Sequence, residues 1–374
     1  MEATDYQDLM IKAIQKREEE EKNLTVIDQI RKRPGMYLGE FSIVGFKNIL
    51  SYFFNEIQSN NVLRTEILVE FLANGFIKIE AKNVDTFDYA EILWSGFPNK
   101  LFSSQNKKSD YFFGLQVVVA LSKEVKIEVQ TPTDFILLNA KKGVFEVKSS
   151  AIKSAESSIN IEFELDYDIW RKDFSINYEV INDFIRKYAL INNDYRIKSI
   201  DNRAENTQIA IFDYPNGLSH QLDYLIGTHT YHGGIFMRMD LKTKTDKHQF
   251  EICFAYLDCW VSKPSISTYA NNDKLIFGGS LEKGIIEGIV LAVKKLAKEK
   301  NAPIDINYKK AQPQLLLIAS IKGDKFDFTG SVKAKINMPE VCKTIKGFVS
   351  EQTYLFFSQN EDVAKMMLKH FQKY

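Results

Sequence analysis

The sequence lacks any excess of charge and any long apolar run. Its 374 residues carry 49 Lys and Arg against 49 Asp and Glu, so the formal net charge is zero and does not identify a partner. No stretch approaches the roughly 18 uninterrupted apolar residues of a membrane span. The N-terminus is acidic and polar, whereas a signal peptide starts with basic residues followed by an apolar run. These absences predict a cytoplasmic protein.

Cysteine is also scarce, and this excludes two further classes of protein. Cys253, Cys259 and Cys342 are too few for a disulfide framework, and none stands in the Cys-x-x-Cys pair typical of zinc or redox sites. We expect buried, reduced thiols. His229 and His232 are spaced like a metal pair, but no Cys, Asp or Glu cluster stands beside them, so we expect no metal site.

What the sequence does contain is enough apolar surface for packed cores. Apolar residues make up 45% of the chain and aromatic residues 13%, which excludes a disordered or fibrous protein. At about 100–200 residues per domain, the length corresponds to two or three domains. We find no internal repeat.

The first part of the chain reads as helices followed by an antiparallel sheet. Residues 7–22 and about 45–59 have helical patterns, and Pro34-Gly35 requires an intervening helix to stop near Arg33. Asn74-Gly75 between two alternating runs predicts a hairpin. A long surface loop is expected between Asp85 and Asp110. The sequence GLQVVVALS fits a helix or a strand. Further strands are predicted in VKIEVQT, FILLNAK, GVFEVKS, INIEFEL and IKSIDNR, with a helix over Tyr178–Ile191.

A second α+β region begins after the break at Pro215-Asn216-Gly217. Strands are predicted in HGGIFMRMDL, FEICFAYLDCW, ISTYANN and LLLIASIKG. A strong amphipathic helix runs from Leu281 to about Lys300, and a C-terminal helix from Glu351 to Tyr374. We therefore place the end of the first domain near Asp213.

Several segments resemble one family in the same order along the chain. RKRPGMYLG, from Arg31 to Gly39, resembles the segment that opens the ATPase domain of bacterial gyrase B subunits and their topoisomerase IV relatives. The strand, helix and strand from IEFEL through IKSIDNR also resemble that family, as do YANNDKLIFGGSLEKGI and the segment from LLLIASIKG to MPEV. The resemblance extends from about Leu24 to the C-terminus.

The resemblance implies an α+β architecture: a GHKL (Bergerat-type) α/β sandwich followed by a transducer domain with a ribosomal S5 domain 2-like fold. The corresponding domains are an N-terminal helical arm over 1–22, the ATPase-like domain over 23–213 and the transducer-like domain over 214–374. In the family these domains dimerise as an ATP-operated clamp around DNA. The chain ends where the family's metal-binding TOPRIM domain begins, so this chain alone is not expected to break and rejoin DNA.

The family's catalytic pair is not matched here. In the family, a Glu on the second helix activates the attacking water and an Asn one turn later helps to hold magnesium. Alignment through Gly45 puts Tyr52 at the Glu position and Glu56 at the Asn position. Tyr, with an ordinary pKa near 10, is a poor base at neutral pH. The alternative interpretation of the two residues is a packed aromatic and a surface acid.

The nucleotide-binding positions also depart from the family. Ala81 takes the place of the adenine-binding Asp, and Ile159 takes that of a supporting Thr. Of the glycine-rich lid, whose backbone amides must approach phosphates closely, Gly114 alone remains. In the transducer, Lys333 matches the lysine that reaches the γ-phosphate, while the neighbouring Gln is absent. Gly114 and Lys333 are therefore weak nucleotide-binding candidates, and Lys333 also fits a basic surface strand.

These departures predict a pseudo-ATPase that needs no cofactor and acts by binding, as a homodimer or with a topoisomerase-type or accessory protein. The alternative is a divergent ATP-operated DNA clamp that uses ATP and Mg²⁺. Residues that would contact DNA phosphates, if they line one cavity, are Arg31, Lys32, Arg33, Lys294 and Lys295. On a neutral chain such residues also serve solubility.

Overall fold

The computed structural model describes residues 24–57, 64–85, 113–154, 156–229, 234–258, 264–323, 325–329 and 334–372. The helix predicted over 7–22 and nearly all of the loop predicted between Asp85 and Asp110 lie outside these ranges. Two compact units make up the chain, Met1–Asp213 and Tyr214–Tyr374, and each is described by itself below.

The first unit combines helices with a large sheet. Its helices are α1 (Val26–Lys32), α2 (Gly35–Leu38), α3 (Ile43–Glu56), α4 (Phe113–Leu121) and α5 (Tyr178–Ile191). Its strands are β1 (Thr65–Phe71), β2 (Ile77–Lys82), β3 (Ser122–Gln130), β4 (Asp134–Lys141), β5 (Val144–Ala151), β6 (Ser158–Leu165), β7 (Tyr195–Asp201) and β8 (Gln208–Asp213). The ambiguous run GLQVVVALS is therefore helical, while β8 was not predicted.

The strands form one sheet in the order β5-β4-β3-β6-β2-β1-β7-β8. β1 and β7 are parallel, and the other neighbours are antiparallel. The hairpin at Asn74-Gly75 is confirmed, because Phe71 pairs with Ile77 and Gly75 adopts a φ of 87°. A glycine reaches this left-handed conformation without the strain that a side chain would cause.

One face of this sheet is packed and the other is open. Along β1, residues 65, 67, 69 and 71 are buried while those between them are partly or fully exposed. Helix α3 is held beside the sheet by two tyrosine hydroxyls: Tyr188 donates to the Phe54 carbonyl at 2.5 Å and Tyr195 to the Ile57 carbonyl at 2.9 Å. Burial raises the pKa of Tyr195 to about 12, so this phenol stays a donor at neutral pH.

A capping box explains where helix α1 begins, and a proline explains where it ends. The Thr25 and Asp28 side chains cap its first turn reciprocally, as in a capping box. Its last residue is Lys32, and Arg33 follows as the C-cap before Pro34. The predicted stop near Arg33 is confirmed, because the residue before a proline is disfavoured in the helical conformation.

The second unit has a smaller sheet with long helices. Its helices are α6 (Leu218–His229), α7 (Ser280–Glu299), α8 (Pro339–Gln359) and α9 (Glu361–Gln372), and its strands are β9 (Ile235–Lys244), β10 (His248–Leu257), β11 (Ser265–Ala270), β12 (Asp273–Lys274) and β13 (Leu315–Gly323). The sheet order is β12-β11-β13-β10-β9. Its core joins the strands to α7, α8 and α9.

In this unit one prediction was wrong and one helix was not predicted. The C-terminal helix begins at Pro339 rather than Glu351, and a new helix begins at Glu361 after the break at Asn360. Helix α6 was not predicted, because the Pro-Asn-Gly break before it was taken as the start of strands. Helices α7 and α8 approach closely at Gly288, where a Cβ would lie 2.8 Å from the Cβ of Val349.

The cysteines were expected to be buried, and the structure describes two of the three. Cys253 is buried, and burial raises the pKa of its thiol. Cys342 is only partly buried, which corrects the prediction for that residue: it lies on α8 beside Gly284 of α7 and lines a surface hollow. Cys259 lies outside the described residues.

Within the described ranges, no helix is long and apolar enough to cross a bilayer.

Candidate functional site

Tyr52, at the position expected to carry a general base, is part of a structural contact. Its hydroxyl donates to the backbone carbonyl of Tyr37 at 2.8 Å, and one turn earlier on α3 the Asn48 amide donates to the Leu38 carbonyl at 2.9 Å. The two side chains therefore fasten α2 to α3. The role of Asn48 was not predicted from the sequence, because its partner is a backbone group. The Glu56 side chain lies outside the described set.

Ala81, at the position expected to bind adenine, lies in an apolar row that crosses the packed face of the sheet. Its neighbour on β6 is Ile159, the position of the expected Thr, and both residues are 0% exposed. The row continues on either side of this pair. Its members, all buried, are Ile197, Ile67, Ala81, Ile159, Val129 and Ile136.

The chemistry of this row leaves no polar group to recognise a base. Its six members are aliphatic, so they offer neither a donor nor an acceptor from their side chains. A nucleobase in contact with the row would lose its hydrogen bonds to water without replacement, at a cost of about 1–3 kcal/mol per group. The arrangement is that of a packed core.

Gly114 stands at the second position of α4 and is buried. Two residues later, the Gln116 side chain is also buried, and its Oε1 has no hydrogen-bond partner among the residues that the structure describes. Helix α4 packs against α1 and α3. Gly114, the one lid glycine retained in the family resemblance, thus lies at the start of a helix, two residues before this buried amide.

Lys333, the transducer candidate, lies outside the described residues. The nearby Lys335 is exposed and lines a hollow of 550 Å³ together with Lys283 and Glu282. In that hollow the Tyr308 hydroxyl donates to Glu282 at 2.9 Å, and burial together with this carboxylate raises the pKa of Tyr308. The surroundings of Lys335 therefore carry both signs of charge.

The basic residues proposed for phosphate contact differ in their surroundings. Arg31 donates to Asp166 at 2.7 Å and to the Ala120 carbonyl at 2.6 Å, so it ties α1 to the end of α4. Lys32 and Arg33 are exposed. In the second unit, Lys294 and Lys295 are exposed on α7, and the ammonium group of Lys295 lies 3.6 Å from the centre of the Tyr354 ring.

Arg31 consequently has a structural role that its sequence context did not reveal. The Asp166 carboxylate is almost completely buried, with 2% of its side chain exposed, and a buried carboxylate needs a cationic partner. Lys32 and Arg33 remain predictions as phosphate contacts, as do Lys294 and Lys295. Among the residues that the structure describes, no group of three or more His, Cys, Asp and Glu is arranged to hold a metal ion.

The open face of the sheet offers a different surface. A shallow hollow of 340 Å³ lies over β1, β2, β7 and β8. Its lining includes Glu66, Leu68, Arg196, Lys198 and Ile211. It is on the side opposite Ala81, since Glu80 and Lys82 also line it and side chains alternate along a strand. The mixture of charges and aliphatic groups is typical of a protein surface rather than of a nucleotide pocket.

Comparison with protein families and curated proteins gives one consistent result. The family model for DNA gyrase B matches residues 217–373. The DNA gyrase B protein of Metamycoplasma hominis is 24% identical over 92% of this chain, and the DNA topoisomerase 4 B protein of Staphylococcus epidermidis is 22% identical over 92%. The chain spans 57% and 54% of the length of these two relatives.

Solved structures show the same fold. The 43K ATPase domain of Thermus thermophilus gyrase B, crystallised with an aminocoumarin, superimposes with a TM-score of 0.76 over 93% of this chain and 94% of that one, at 17% identity. The topoisomerase IV ATP-binding domain of Francisella tularensis gives 0.71 over 93% and 96%, also at 17% identity. The fold expected from the sequence is confirmed.

Proposed function

Because the chain is a relative of the gyrase and topoisomerase IV B proteins over 92% of its length, we propose that it is a non-catalytic, gyrase-B-like protein. It acts in the cytoplasm by protein binding, as a homodimeric scaffold or as a modulator of a type II topoisomerase or a DNA-processing or defence complex. It uses no nucleotide in this role.

The observation that carries the proposal is the apolar pair Ala81 and Ile159. The two residues face each other on β2 and β6, are 0% exposed, and occupy the positions at which the family resemblance expects an Asp and a Thr. Loss of a hydrogen bond to a charged group costs about 1.5–3 kcal/mol, or roughly one to two orders of magnitude in affinity. Recognition of adenine is therefore lost at its main anchor.

The environment of Tyr52 supports the same proposal for the chemical step. Its hydroxyl donates to the Tyr37 carbonyl, so its proton is directed to the protein backbone. A phenol is also a weak base at neutral pH, and removal of a general base slows hydrolysis by about 10²–10⁴. Binding and hydrolysis are thus weakened at separate positions, on β2 and on α3.

The test is calorimetric titration with ATP, with and without Mg²⁺, alongside a phosphate-release assay. The 43K ATPase domain of Thermus thermophilus gyrase B serves as the positive control. We expect no heat of binding at ATP concentrations up to about 1 mM, which corresponds to less than roughly 4 kcal/mol of binding free energy. Micromolar affinity would overturn the proposal.

A pull-down from the source cells tests the binding role independently. We expect a topoisomerase subunit, an accessory protein or a second copy of this chain to be recovered. As a control for non-specific capture, the same chain is used after thermal unfolding. Recovery of no partner, together with a monomeric chain at all concentrations, contradicts a role by protein binding.

The second candidate function is a divergent ATP-operated DNA clamp, and one observation favours it. Gly114 is retained two residues before Gln116, whose buried Oε1 has no partner within the described part of the chain and offers an acceptor close to this glycine. ATP binding that depends on this amide would support the clamp. The discriminating variant is Gln116→Leu, which keeps the volume of the side chain and removes the acceptor.

A further inference from the structure

Strand β8 forms one end of the large sheet and is unusually apolar on its open face. It pairs with β7 on one side, and no described strand pairs with its other side. Ile209 and Ile211 are 58% and 55% exposed. They are two residues apart and therefore lie on the same face of the strand. A strand edge with exposed aliphatic side chains is a template for pairing with another chain.

The other described sheet edges carry features that discourage pairing. Natural edge strands are protected by charged side chains, by bulges or by shortness. β5, at the opposite end of the same sheet, carries Glu146 and Lys148. In the second unit, β9 carries Arg238 and Lys242, and β12 has two residues. β8 has no lysine, arginine or proline over its whole length. Among the described edges, β8 is the least protected, because its one charged residue, Asp213, stands at its last position.

The single charge on β8 is already neutralised within the chain. Asp213 lies 2.7 Å from the Arg64 guanidinium and 3.7 Å from that of Arg196. The remaining five residues of the strand are uncharged. A second strand can therefore approach without meeting an unpaired like charge, which is the usual barrier to edge association.

We propose that β8 pairs antiparallel with β8 of a second copy of this chain, about a twofold axis at Ala210. Residues directly opposite each other in an antiparallel pair point to the same face of the sheet. The isoleucines of the two copies therefore share a face only in registers that place odd-numbered residues opposite odd-numbered residues. With Ala210 on the axis, Ile209 of each copy faces Ile211 of the other. This register brings all four isoleucines together.

The neighbouring register is less favourable. If the axis passed through Ile211, each Ile209 would face the Asp213 carboxylate of the other copy. With Ala210 on the axis, the other face of the pair brings together two alanines, which leave room for close approach, and sets Gln208 against Phe212. Side-chain chemistry therefore favours the register centred on Ala210, which also keeps the isoleucines of both copies on one face.

A pair of six-residue strands is a small interface. Stable protein complexes bury about 1,200–2,000 Å², and two short edges with four isoleucines fall below that range. The dimer is therefore expected to be reversible and to depend on concentration. This inference rests on the homodimeric form of the proposed function and names the surface that it uses.

The first experiment measures association by sedimentation velocity over a range of protein concentrations. Ile211→Lys places on β8 the residue that protects natural edges, and we expect it to weaken dimerisation at least about tenfold. The matched control is Val144→Lys, on the edge strand β5, where Val144 is 78% exposed. The control should dimerise like the unchanged chain.

The second experiment tests the register by mild oxidation of Ala210→Cys. Opposed Cα atoms in an antiparallel pair lie about 4.5–5.5 Å apart, which a disulfide can bridge. We expect a crosslinked dimer. Gln208→Cys is the control, because its two copies would lie four residues out of register, about 13 Å apart, and should not crosslink. The unchanged chain, whose Cys253 is buried, gives the background.

The outcomes separate this inference from the proposed function. A monomer at all concentrations overturns the inference, and so does a dimer that survives Ile211→Lys and does not crosslink through position 210. A chain that stays monomeric but captures a different protein through this edge also overturns it. None of these results alters the nucleotide titration, which tests the proposed function alone. If the Ile211→Lys variant fails to fold, the crosslinking of Ala210→Cys compared with Gln208→Cys still tests the proposed pairing.

Discussion

Two interior strands, one from each sheet, differ in how many of their faces are buried. β1 in the first unit alternates, with residues 65, 67, 69 and 71 buried and the others partly or fully exposed. β13 in the second unit is buried at seven consecutive positions, from Leu315 to Ile321. A strand that is covered on both faces contributes a core, whereas a one-sided sheet keeps a face available for contact.

This difference indicates where a binding function can lie in a chain that, as we propose, uses no nucleotide. The packed face of the first sheet is filled by aliphatic side chains at the Ala81 row, so it now resembles the core of the second unit. The open face, with its 340 Å³ hollow and the β8 edge, retains mixed charge and exposed isoleucine. The surfaces that we propose for binding lie on that open side.

The largest loss of stability is expected in the second unit, where strands β10 and β13 are largely buried on both faces. Phe254 on β10 is 0% exposed, and Phe254→Ala should lower the free energy of unfolding by about 3–5 kcal/mol through lost contacts and a residual cavity. Leu68→Ala, on the open face of β1, should cost about 1 kcal/mol. Urea denaturation measures both. Equal losses would show that the two sheets are not packed as differently as described.

Ala81→Asp tests whether the packed face of the first sheet is truly a filled core. An unpaired carboxylate in that row should cost about 3 kcal/mol at pH 7. Burial would raise the pKa of the new carboxyl, so the loss should be smaller at pH 4, where it takes up a proton. Urea titrations at the two pH values provide the measurement.

The exposed Ala151→Asp, at the end of β5, is the matched control and should change stability by less than about 0.5 kcal/mol. A stable Ala81→Asp variant that also binds ATP would mean that a nucleotide site survives at this face.

Arg31→Ala probes the contact that ties α1 to α4. It leaves the Asp166 carboxylate buried without its guanidinium partner, and because Arg31 is itself partly exposed we expect a loss of about 2–3 kcal/mol. Lys32→Ala, at the neighbouring exposed position, should stay within about 0.5 kcal/mol. Thermal denaturation compares the two. A loss of DNA binding without a loss of stability would instead favour the predicted phosphate contact.

The smallest loss of stability is expected from the ion pair between Asp201 and Arg203, at the end of β7. Two hydrogen bonds from the Arg203 guanidinium, of 2.8 and 2.7 Å, lower the pKa of Asp201 below its ordinary 3.8. A lowered pKa means that the pair stabilises the fold above the ordinary value and that this contribution disappears as the pH falls through the folded-state pKa. Partial exposure limits the contribution to less than about 1 kcal/mol.

Asp201→Asn should therefore be less stable than the unchanged chain at pH 7 and equally stable near pH 2. Urea denaturation at both pH values measures the difference. Asp246→Asn, at an exposed turn, is the control and should be neutral throughout. A difference that persists at pH 2 would assign the effect to packing rather than to the ion pair.

Local signals in the sequence predicted much of the fold. Asn74-Gly75 identified the hairpin, Pro34 identified the end of α1, and alternation identified most strands, because each of these depends on neighbouring residues. β8 was missed because QIAIFD is short and follows a polar run. The start of α8 was missed although Pro339 occupies a favourable first position in a helix.

The candidate site was predictable only as a set of positions. The sequence placed Tyr52 and Ala81 through their alignment with a family, but it could not give their partners. Tyr52 donates to a carbonyl 15 residues earlier, and Arg31 pairs with Asp166, 135 residues later. Such contacts depend on tertiary packing, which periodicity does not encode.

The parallel pairing of β1 with β7 has a consequence for how the chain is made. Thr65 aligns with Tyr195, so β1 can gain this neighbour only after about 130 further residues have been synthesised. At roughly 5–20 residues per second, that interval is about 6–26 s. During this time the nascent β1–β2 hairpin has an unsatisfied backbone edge, and chaperone occupancy on the ribosome should be highest in that window.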